Sequence, residues 1–380
     1  MVPRTQESAE EQQPESGSSR VISVDALRGF DMLWIVGAGG IVRALREIGG
    51  DDGGIIQVVA EQLRHASWEG FRFEDLIFPL FVFLMGMSTV FSLGKILERE
   101  GTRAAHRRIF RRFMLLYVVG IFYDGGFANV WPEIRLVGVL QRLALCYLFA
   151  GLLFCHFRTR GLVAAFAVCV VGYWALMSFV AAPGQPTVSF EPDKNLANYM
   201  DLRFLPGRLY NKTWDPEGLL STIPAVGSCL LGVFAALLLK NKSLTESHKA
   251  LYLITAGIAM VGLGFLWGLQ FPVIKKIWTS SYVLVAGGYS CLLLAAFYLV
   301  VDVWGYQKWA RPFLWVGSNA LTVYLAADLV DFEDISKRFA GGNVAMLFGT
   351  YGQLATAAVS LLLVLLLARF LYRRQIFLRL

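Results

Sequence analysis

The sequence predicts an all-α, polytopic membrane protein, a bundle of about ten transmembrane helices with both termini in the cytoplasm. Of the 380 residues, 56% are hydrophobic and only 17% are charged. The mean hydropathy of +0.55 is far too apolar for a soluble globule. Apolar runs long enough to cross a bilayer cover about 24–46, 74–97, 109–123, 134–156, 161–182, 217–240, 249–270, 279–302, 312–330 and 350–371.

The charges in the connections predict the orientation of these spans. Lys and Arg outnumber Asp and Glu on the side that holds both termini, whereas acidic residues are in excess on the other side. Because basic residues collect on the cytoplasmic side of a membrane, both termini should be cytoplasmic. Topology therefore accounts for the formal net charge of +7, and no nucleic-acid partner is expected.

The chain divides into a short tail and one membrane domain. Residues 1–20 are rich in Glu, Gln and Ser and lack an apolar core, which predicts a disordered cytoplasmic tail and not a signal peptide. Residues 21–380 then form the transmembrane domain. The five cysteines lie in or beside apolar runs without metal-ligand spacing, so they predict packing residues.

Two outward connections carry helix signals. Between residues 51 and 75, Ile55, Val59 and Leu63 recur at helical spacing, which predicts a short helix on the outer interface. Asp215-Pro216-Glu217 offers a capping residue, a proline for the first helical position and an acid in the first turn. A membrane helix is therefore predicted to begin there.

One histidine is singled out by its position. Of four histidines, only His65 falls on the predicted outer side, just before the second span. Imidazole exchanges protons near neutral pH, so His65 is a candidate general base or nucleophile. Asp75, at the start of that span, is a candidate to orient the ring or to receive an amine, and Arg142 is a candidate partner for Asp75. The alternative is an interfacial histidine that only hydrogen-bonds headgroups or Trp68.

Charged residues inside the first span predict a second region of interest. Asp25, Arg28 and Asp31 are three residues apart and therefore share one helix face. Charges at that depth are costly and usually mark a site or a pair. Arg28 is a candidate to bind an anionic group from the cytoplasm, with an aspartate fixing its guanidinium. Mutual neutralisation of the three charges is the structural alternative.

Polar residues in the fourth and ninth spans have two interpretations each. Gln141 and Arg142 are candidates to bind a substrate, or they hold two helices together. Ser318 and Asn319 are candidates to bind a ligand, or they join helices by hydrogen bonds. The sequence does not separate these alternatives.

Several blocks together resemble one family. They follow in order from about residue 20 to the ninth span. The blocks are Ser23-Val24-Asp25-Ala26-Leu27-Arg28-Gly29-Phe30-Asp31-Met32, His65-Ala66-Ser67-Trp68-Glu69-Gly70, Leu140-Gln141-Arg142, Asp215-Pro216-Glu217-Gly218-Leu219-Leu220, Trp278-Thr279-Ser280-Ser281-Tyr282 and Gly317-Ser318-Asn319-Ala320. On these blocks the chain resembles the heparan-alpha-glucosaminide N-acetyltransferase family, and within it the bacterial members.

The resemblance implies an acetyltransferase of the bacterial cytoplasmic (inner) membrane. Such an enzyme moves an acetyl group from cytoplasmic acetyl-CoA to the amine of a glucosamine-type sugar on the outer side, without a metal. The family's active-site histidine falls on His65, and direct transfer and an acetyl-histidine intermediate both remain open. The remaining expected site residues are Asp75 for catalysis, Trp68, Glu69, Gln141 and Arg142 for the acceptor, and Arg28, Asp31, Ser318 and Asn319 for acetyl-CoA.

Other functions and partners fit the same residues. Ten spans with buried charges also suit a transporter of amino sugars or muropeptides, although no repeat relates the two halves. An O-acyltransferase acting on envelope polysaccharide would use the same donor. Arg108, Arg111, Arg112 and Arg311 either hold CoA phosphates or only set the topology. Membrane lipid is an expected partner, and a homodimer is one option for the assembly.

Overall fold

The computed structural model describes residues 21–49, 54–128 and 130–377. These residues form helices and connections, with no β-strand among them. The predicted tail, residues 1–20, lies outside the described residues. The all-α fold class is therefore confirmed for the described part of the chain.

The α-helices follow the predicted apolar runs closely. In chain order they are α1 (Ile22–Gly49), α2 (Ile55–Gln62), α3 (Phe73–Arg99), α4 (Thr102–Tyr123), α5 (Val139–His156), α6 (Thr159–Ala167), α7 (Tyr173–Phe179), α8 (Leu196–Phe204), α9 (Thr222–Lys240), α10 (Glu246–Gly268), α11 (Ser280–Tyr298), α12 (Arg311–Gly317), α13 (Ala320–Leu329), α14 (Phe332–Ala340), α15 (Asn343–Leu347) and α16 (Gly352–Arg373). Short π-helical segments join α6 to α7 and extend α11. The predicted helix near Ile55 is present as α2.

Seven helical stretches of the described chain are long and apolar enough to cross a membrane. They are Phe73–Arg99, Val139–His156, Thr159–Phe179, Thr222–Lys240, Glu246–Gly268, Ser280–Val303 and Gly349–Arg373. Of the other predicted spans, α1 and α4 have 28 and 22 residues but carry more charge, and the ninth is interrupted. The count of ten spans and the cytoplasmic termini stay predictions.

The predicted helix start at Asp215 is wrong. Residues 215–221 form turns, and α9 begins only at Thr222. The guanidinium of Arg142 on α5 donates to the carbonyl oxygens of Pro216, Gly218 and Ser221. Because Arg142 binds these carbonyls, tertiary contacts outweigh the local capping signals, and the segment stays folded as turns.

The predicted ninth span is broken between α12 and α13, at Ser318 and Asn319. The break lies against α1, where two glycines allow a close crossing. A Cβ on Gly29 would lie 1.8 Å from the Phe313 carbonyl oxygen, and one on Gly317 would lie 1.9 Å from the Asp25 carbonyl oxygen. Only glycine fits at both positions, and the crossing holds the break beside the charged face of α1.

Candidate active site

His65 lies in the connection between α2 and α3, where a buried carboxylate fixes one side of its ring. The Nδ1 atom is 3.1 Å from Oδ1 of Asp75. The Asp75 side chain is 1% exposed, whereas that of His65 is 56% exposed. Asp75 Oδ2 also accepts the backbone N–H groups of Ala66 and Arg72, each at 3.1 Å. Asp75 therefore both orders the start of α3 and orients an imidazole whose other edge is open.

A lysine that sequence reasoning missed completes this group. Nζ of Lys275, in the connection between α10 and α11, is 3.2 Å from Nδ1 of His65 and 3.6 Å from Oδ1 of Asp75. It also donates to the carbonyl oxygen of Glu74 at 3.4 Å. Burial lowers the pKa of Lys275, while the negative charges of Asp75, Glu74 and Glu217 act in the opposite direction. The ammonium thus lies among carboxylates, directly beside the candidate base.

Backbone pairing holds the Lys275 connection against the His65 connection. Glu69 and Ile274 form an antiparallel bridge, and the N–H of Gly70 donates to the Val273 carbonyl at 2.9 Å. The hydroxyl of Tyr282 on α11 donates to the Asp75 carbonyl at 2.7 Å. These bonds bring residues some 200 positions apart into one site. The one feature of the sequence that could have indicated Lys275 was the Lys275-Lys276 pair directly before the Trp278 block. Such a pair is equally well explained as charges that set the membrane topology.

Trp68 and Glu69 follow His65 in the connection before α3 and differ in their surroundings. The indole Nε1 of Trp68 donates to the Phe190 carbonyl at 2.9 Å, and its ring meets that of Trp214 edge-on at 5.3 Å. The ammonium of Lys276 lies 5.7 Å from the centre of the Trp68 ring. Glu69 is exposed, and only its backbone takes part in the bridge. Trp68 therefore belongs to an aromatic wall beside the imidazole, while Glu69 projects to solvent.

The guanidinium of Arg142 is hydrogen-bonded to other groups of the protein. Besides the three carbonyls before α9, its Nη2 donates to Oγ of Ser221 at 2.6 Å, and its guanidinium lies 5.2 Å from the centre of the Trp278 ring. It does not pair with Asp75, whose partners are His65 and Lys275, so the expected Arg142–Asp75 pair is wrong. Its role in binding the acceptor stays a prediction.

Within the described chain, the amide oxygen of the Gln141 side chain has no hydrogen-bond partner, whereas its amide nitrogen has one. Its Nε2 donates to Oδ2 of Asp124 at 3.2 Å. Its Oε1 is buried and has no hydrogen-bond partner among the described residues. A buried acceptor without a donor is uncommon, so this oxygen is available to a ligand N–H or O–H group.

A second cluster, centred on Arg135, also went unnoticed in the sequence. Arg135 donates to both carboxylate oxygens of Asp215, at 2.9 and 2.7 Å, and to Glu217 at 2.8 Å and Asp124 at 3.3 Å. Burial acts to lower the pKa of Arg135, but its acidic partners outweigh burial and raise it. The only sequence signal was an arginine at the edge of an apolar run.

Two carboxyl groups around this cluster titrate far from their usual range. Burial, together with the charge of Asp215, raises the pKa of Glu217 to about 7. Burial raises the pKa of Asp201 to about 7, against backbone hydrogen bonds from Leu219 and Asp215 that lower it. Arg135 makes two bonds to Asp215 and one to Glu217, so Asp215 is the better compensated carboxylate. Glu217 and Asp201 are thus partly protonated near neutral pH.

The residues predicted to bind acetyl-CoA mostly meet in one cavity. A cavity of about 290 Å³ is lined by Arg28, Ser88, Arg108, Arg112, Ser318 and Asn319, among others. Arg28 pairs with Asp25 at 2.9 Å and donates to Oγ of Ser88 at 2.7 Å. The side chain of Asn319 is 3% exposed, and neither of its amide atoms has a partner among the described residues. Three guanidinium groups and a free amide suit an anionic ligand with amide groups.

Asp31 does not line this cavity. It is fully buried, and neither carboxylate oxygen has a hydrogen-bond partner among the described residues. Its charge interacts with that of Glu74 at the start of α3, where Trp34 also meets Phe73 at 5.1 Å. The structure therefore places Asp31 between Arg28 and the His65 group, apart from the other predicted donor-binding residues.

The helical membrane bundle and the His65–Asp75 pair define a membrane protein with a candidate acid–base site. A family model described as heparan-alpha-glucosaminide N-acetyltransferase, catalytic, matches residues 20–265. The chain therefore belongs to the heparan-alpha-glucosaminide N-acetyltransferase family, as the sequence blocks predicted.

Two curated relatives agree with the family model. The human heparan-alpha-glucosaminide N-acetyltransferase is 28% identical over 332 residues, covering 70% of this chain and 49% of the human protein. The mouse protein of the same name is 27% identical over 330 residues, with the same coverage. The chain thus spans about half the length of the relatives it matches.

Proposed function

We propose that this protein is a transmembrane acetyltransferase. It moves an acetyl group from acetyl-CoA, bound from the cytoplasm, to the amine of a glucosamine-type sugar on the outer side of a bacterial cytoplasmic membrane. The observation that carries this proposal is the half-exposed imidazole of His65, oriented by the buried carboxylate of Asp75. Membership of an N-acetyltransferase family supports the reaction type.

The position of the cavity relative to His65 supports transfer through the protein. Its lining residues on α3 run from Ser92 to Phe81, and Asp75 lies further along the same helix. At a rise of 1.5 Å per residue, Phe81 is about 9 Å and Ser92 about 26 Å from Asp75 along the helix axis. A donor with its phosphates near Arg108 and Arg112 would therefore point its thioester end towards His65.

The chemistry requires a base at the outer end. The ammonium form of an amino sugar has no lone pair, so His65 first takes one of its protons. The amine nitrogen then attacks the thioester carbonyl carbon, a C–N bond forms, and the C–S bond breaks. The leaving thiolate takes up a second proton from the nitrogen, which leaves one proton in excess on His65 for release to solvent. In the alternative sequence, a ring nitrogen of His65 attacks the thioester carbonyl carbon and the CoA thiolate leaves; the amine then attacks the acetyl group, and the bond to the imidazole breaks.

Sided vesicles test this function. Purified protein is reconstituted with acetyl-CoA on one face and glucosamine on the other, and the product is identified by mass spectrometry. We expect N-acetylglucosamine from the wild type, none from His65→Ala, and wild-type turnover from His248→Ala, which alters an exposed histidine bonded to Thr245. Turnover by folded His65→Ala would remove His65 from the mechanism. Absence of product from the wild type, or an ester product, would reject the N-acetyltransferase.

One observation favours a second candidate, an amino-sugar transporter. At the break between α12 and α13, the buried side chain of Asn319 has no hydrogen-bond partner within the described part of the chain, and transporters often build binding sites at such breaks. Uptake of labelled glucosamine into vesicles that contain no acetyl-CoA would support this function. An uptake signal that requires acetyl-CoA and ends in acetylated sugar would reject it.

A further inference from the structure

The charges that face His65 come from two parts of the chain. Glu74 and Asp75 at the start of α3 present two carboxylates, and Lys275 from the connection between α10 and α11 presents an ammonium group. Behind them, the charge of Glu217 acts on Lys275, and the charge of Glu74 acts on the buried Asp31 of α1. Lys275 is thus the cation closest to the imidazole among the described residues.

We propose that Lys275 is a positioning residue that keeps the His65 ring uncharged at neutral pH, so that the ring can accept a proton from the acceptor's amine. The proposal rests on the proposed function, in which His65 is the base. Residue 275 lies beyond the stretch that the family model matches, which ends at residue 265.

Geometry makes Lys275 and Asp75 compete for the same nitrogen. Nδ1 of His65 is 3.1 Å from Oδ1 of Asp75 and 3.2 Å from Nζ of Lys275. A carboxylate beside an imidazole stabilises its protonated form, as in an ion pair, whereas an ammonium group at the same distance destabilises it. The carboxylates of Asp75 and Glu74 both favour the protonated ring. The ammonium of Lys275 offsets that effect.

The position of Lys275 is fixed independently of His65. The Glu69–Ile274 bridge and the Gly70–Val273 hydrogen bond pin its backbone, and the side chain is only 18% exposed. A buried, restrained ammonium is screened by solvent much less than a surface lysine. Even in bulk water, unit charges some 4 Å apart shift a titration by about 0.7 pH units, so the effect at this buried pair should be larger than that.

The test compares Lys275→Gln, which keeps a hydrogen-bond donor but loses the charge, with Lys275→Arg, which keeps the charge. The pH dependence of kcat/KM for glucosamine reports the protonation of the free enzyme's base. We expect the acidic limb of Lys275→Gln to move to higher pH by about one unit or more, and that of Lys275→Arg to stay near the wild type. Lys194→Gln, which removes an exposed lysine paired with Glu191, serves as the matched control.

A second measurement follows the chemical modification of His65. It needs no turnover, so it depends neither on the yield of folded protein nor on the proposed reaction. The rate at which diethylpyrocarbonate modifies His65, followed by mass spectrometry, rises as the ring loses its proton. Its midpoint should move up in Lys275→Gln and down in Asp75→Asn, because the two variants remove opposite charges from the same nitrogen.

An unchanged midpoint in Lys275→Gln, or a loss of kcat/KM that is equal at every pH, would overturn the role of Lys275. A wild-type protein without acetyl transfer would instead overturn the proposed function. The two failures are therefore distinguishable.

Discussion

Arg135 and Asp215 form two parallel hydrogen bonds, from Nε to Oδ2 at 2.9 Å and from Nη2 to Oδ1 at 2.7 Å, although they are 80 residues apart. The pair joins the connection before α5 to the turns before α9. Backbone contacts strengthen this connection. Arg135 forms an isolated antiparallel bridge with Gly207, and the N–H of Arg208 donates to the Ile134 carbonyl oxygen. One arginine with three acidic partners thus ties together the connections at this end of the bundle.

Replacing this arginine should destabilise the fold strongly. Arg135→Met leaves Asp215 and Glu217 buried without their cation, and breaking one side of a buried pair costs about 3–5 kcal/mol. Thermal unfolding of the purified protein in detergent measures the loss. Arg203→Met, which alters an exposed arginine on α8, should change stability by less than about 0.5 kcal/mol. Equal losses in the two variants would contradict the prediction.

Stability should also fall as the pH rises towards neutrality. Glu217 and Asp201 have a pKa of about 7 in the folded protein. In the unfolded chain such groups titrate near 4, so between about pH 4.5 and 7 the folded state binds more protons. The free energy of unfolding then decreases through that window, by on the order of 3 kcal/mol for each group.

Neutral variants of these two residues provide the measurement. Glu217→Gln and Asp201→Asn should flatten the fall in unfolding temperature between pH 5 and pH 7. Glu191→Gln removes an exposed carboxylate that accepts a hydrogen bond from Lys194 and should leave the slope as in the wild type. A wild-type protein whose stability rises over this range would refute the assignment.

Hydropathy alone predicted most of the helices, because a bilayer requires long apolar runs regardless of tertiary contacts. It did not predict the break at Ser318 and Asn319, since the surrounding residues are apolar and the break depends on a helix crossing with α1. Nor did it predict the late start of α9. There Arg142, from another helix, binds carbonyls that local capping signals assign to a first helical turn.

In the candidate site, too, the local contacts could be predicted from the sequence and the long-range contacts could not. His65 and Asp75 are ten residues apart, on either side of the start of α3, so their pairing could be predicted from the local sequence. Lys275 is separated from His65 by 210 residues and reaches it through a two-residue backbone bridge. Arg142 drew attention as a charge within a span, but its hydrogen bonds to three carbonyls follow from the fold. Long-range pairings of this kind leave no periodic pattern in a sequence.

Asp75 should affect the rate more than the binding of either substrate. Asp75→Asn keeps the size of the side chain, but it removes the charge that orients Nδ1 of His65. General acid–base catalysis of this kind contributes about 10²–10⁴-fold, so kcat should fall by roughly a hundredfold or more, with KM for acetyl-CoA little changed. Steady-state kinetics at saturating acceptor measure both constants. A rise in KM with kcat preserved would assign Asp75 to binding instead.

Asn319 should contribute to donor binding at the expense of stability. Its amide is buried without a partner among the described residues, and such a group costs about 1–3 kcal/mol in the free protein. Asn319→Leu has a similar volume and removes that cost, so the unfolding temperature should stay the same or rise. If the amide pairs with acetyl-CoA, KM for acetyl-CoA should increase about tenfold, which is the loss of about one hydrogen bond.

Asn195 offers the matched contrast for this experiment. It is also fully buried, but its side chain accepts the N–H of Asn198 and donates to the Glu191 carbonyl at the start of α8. Asn195→Leu should therefore lower stability by about 1–2 kcal/mol and leave KM for acetyl-CoA unchanged. The difference between the two stability changes distinguishes an amide whose hydrogen bonds stabilise the fold from an amide that is left unpaired for a ligand. A stability loss in Asn319→Leu equal to that of Asn195→Leu would place Asn319 in the first group.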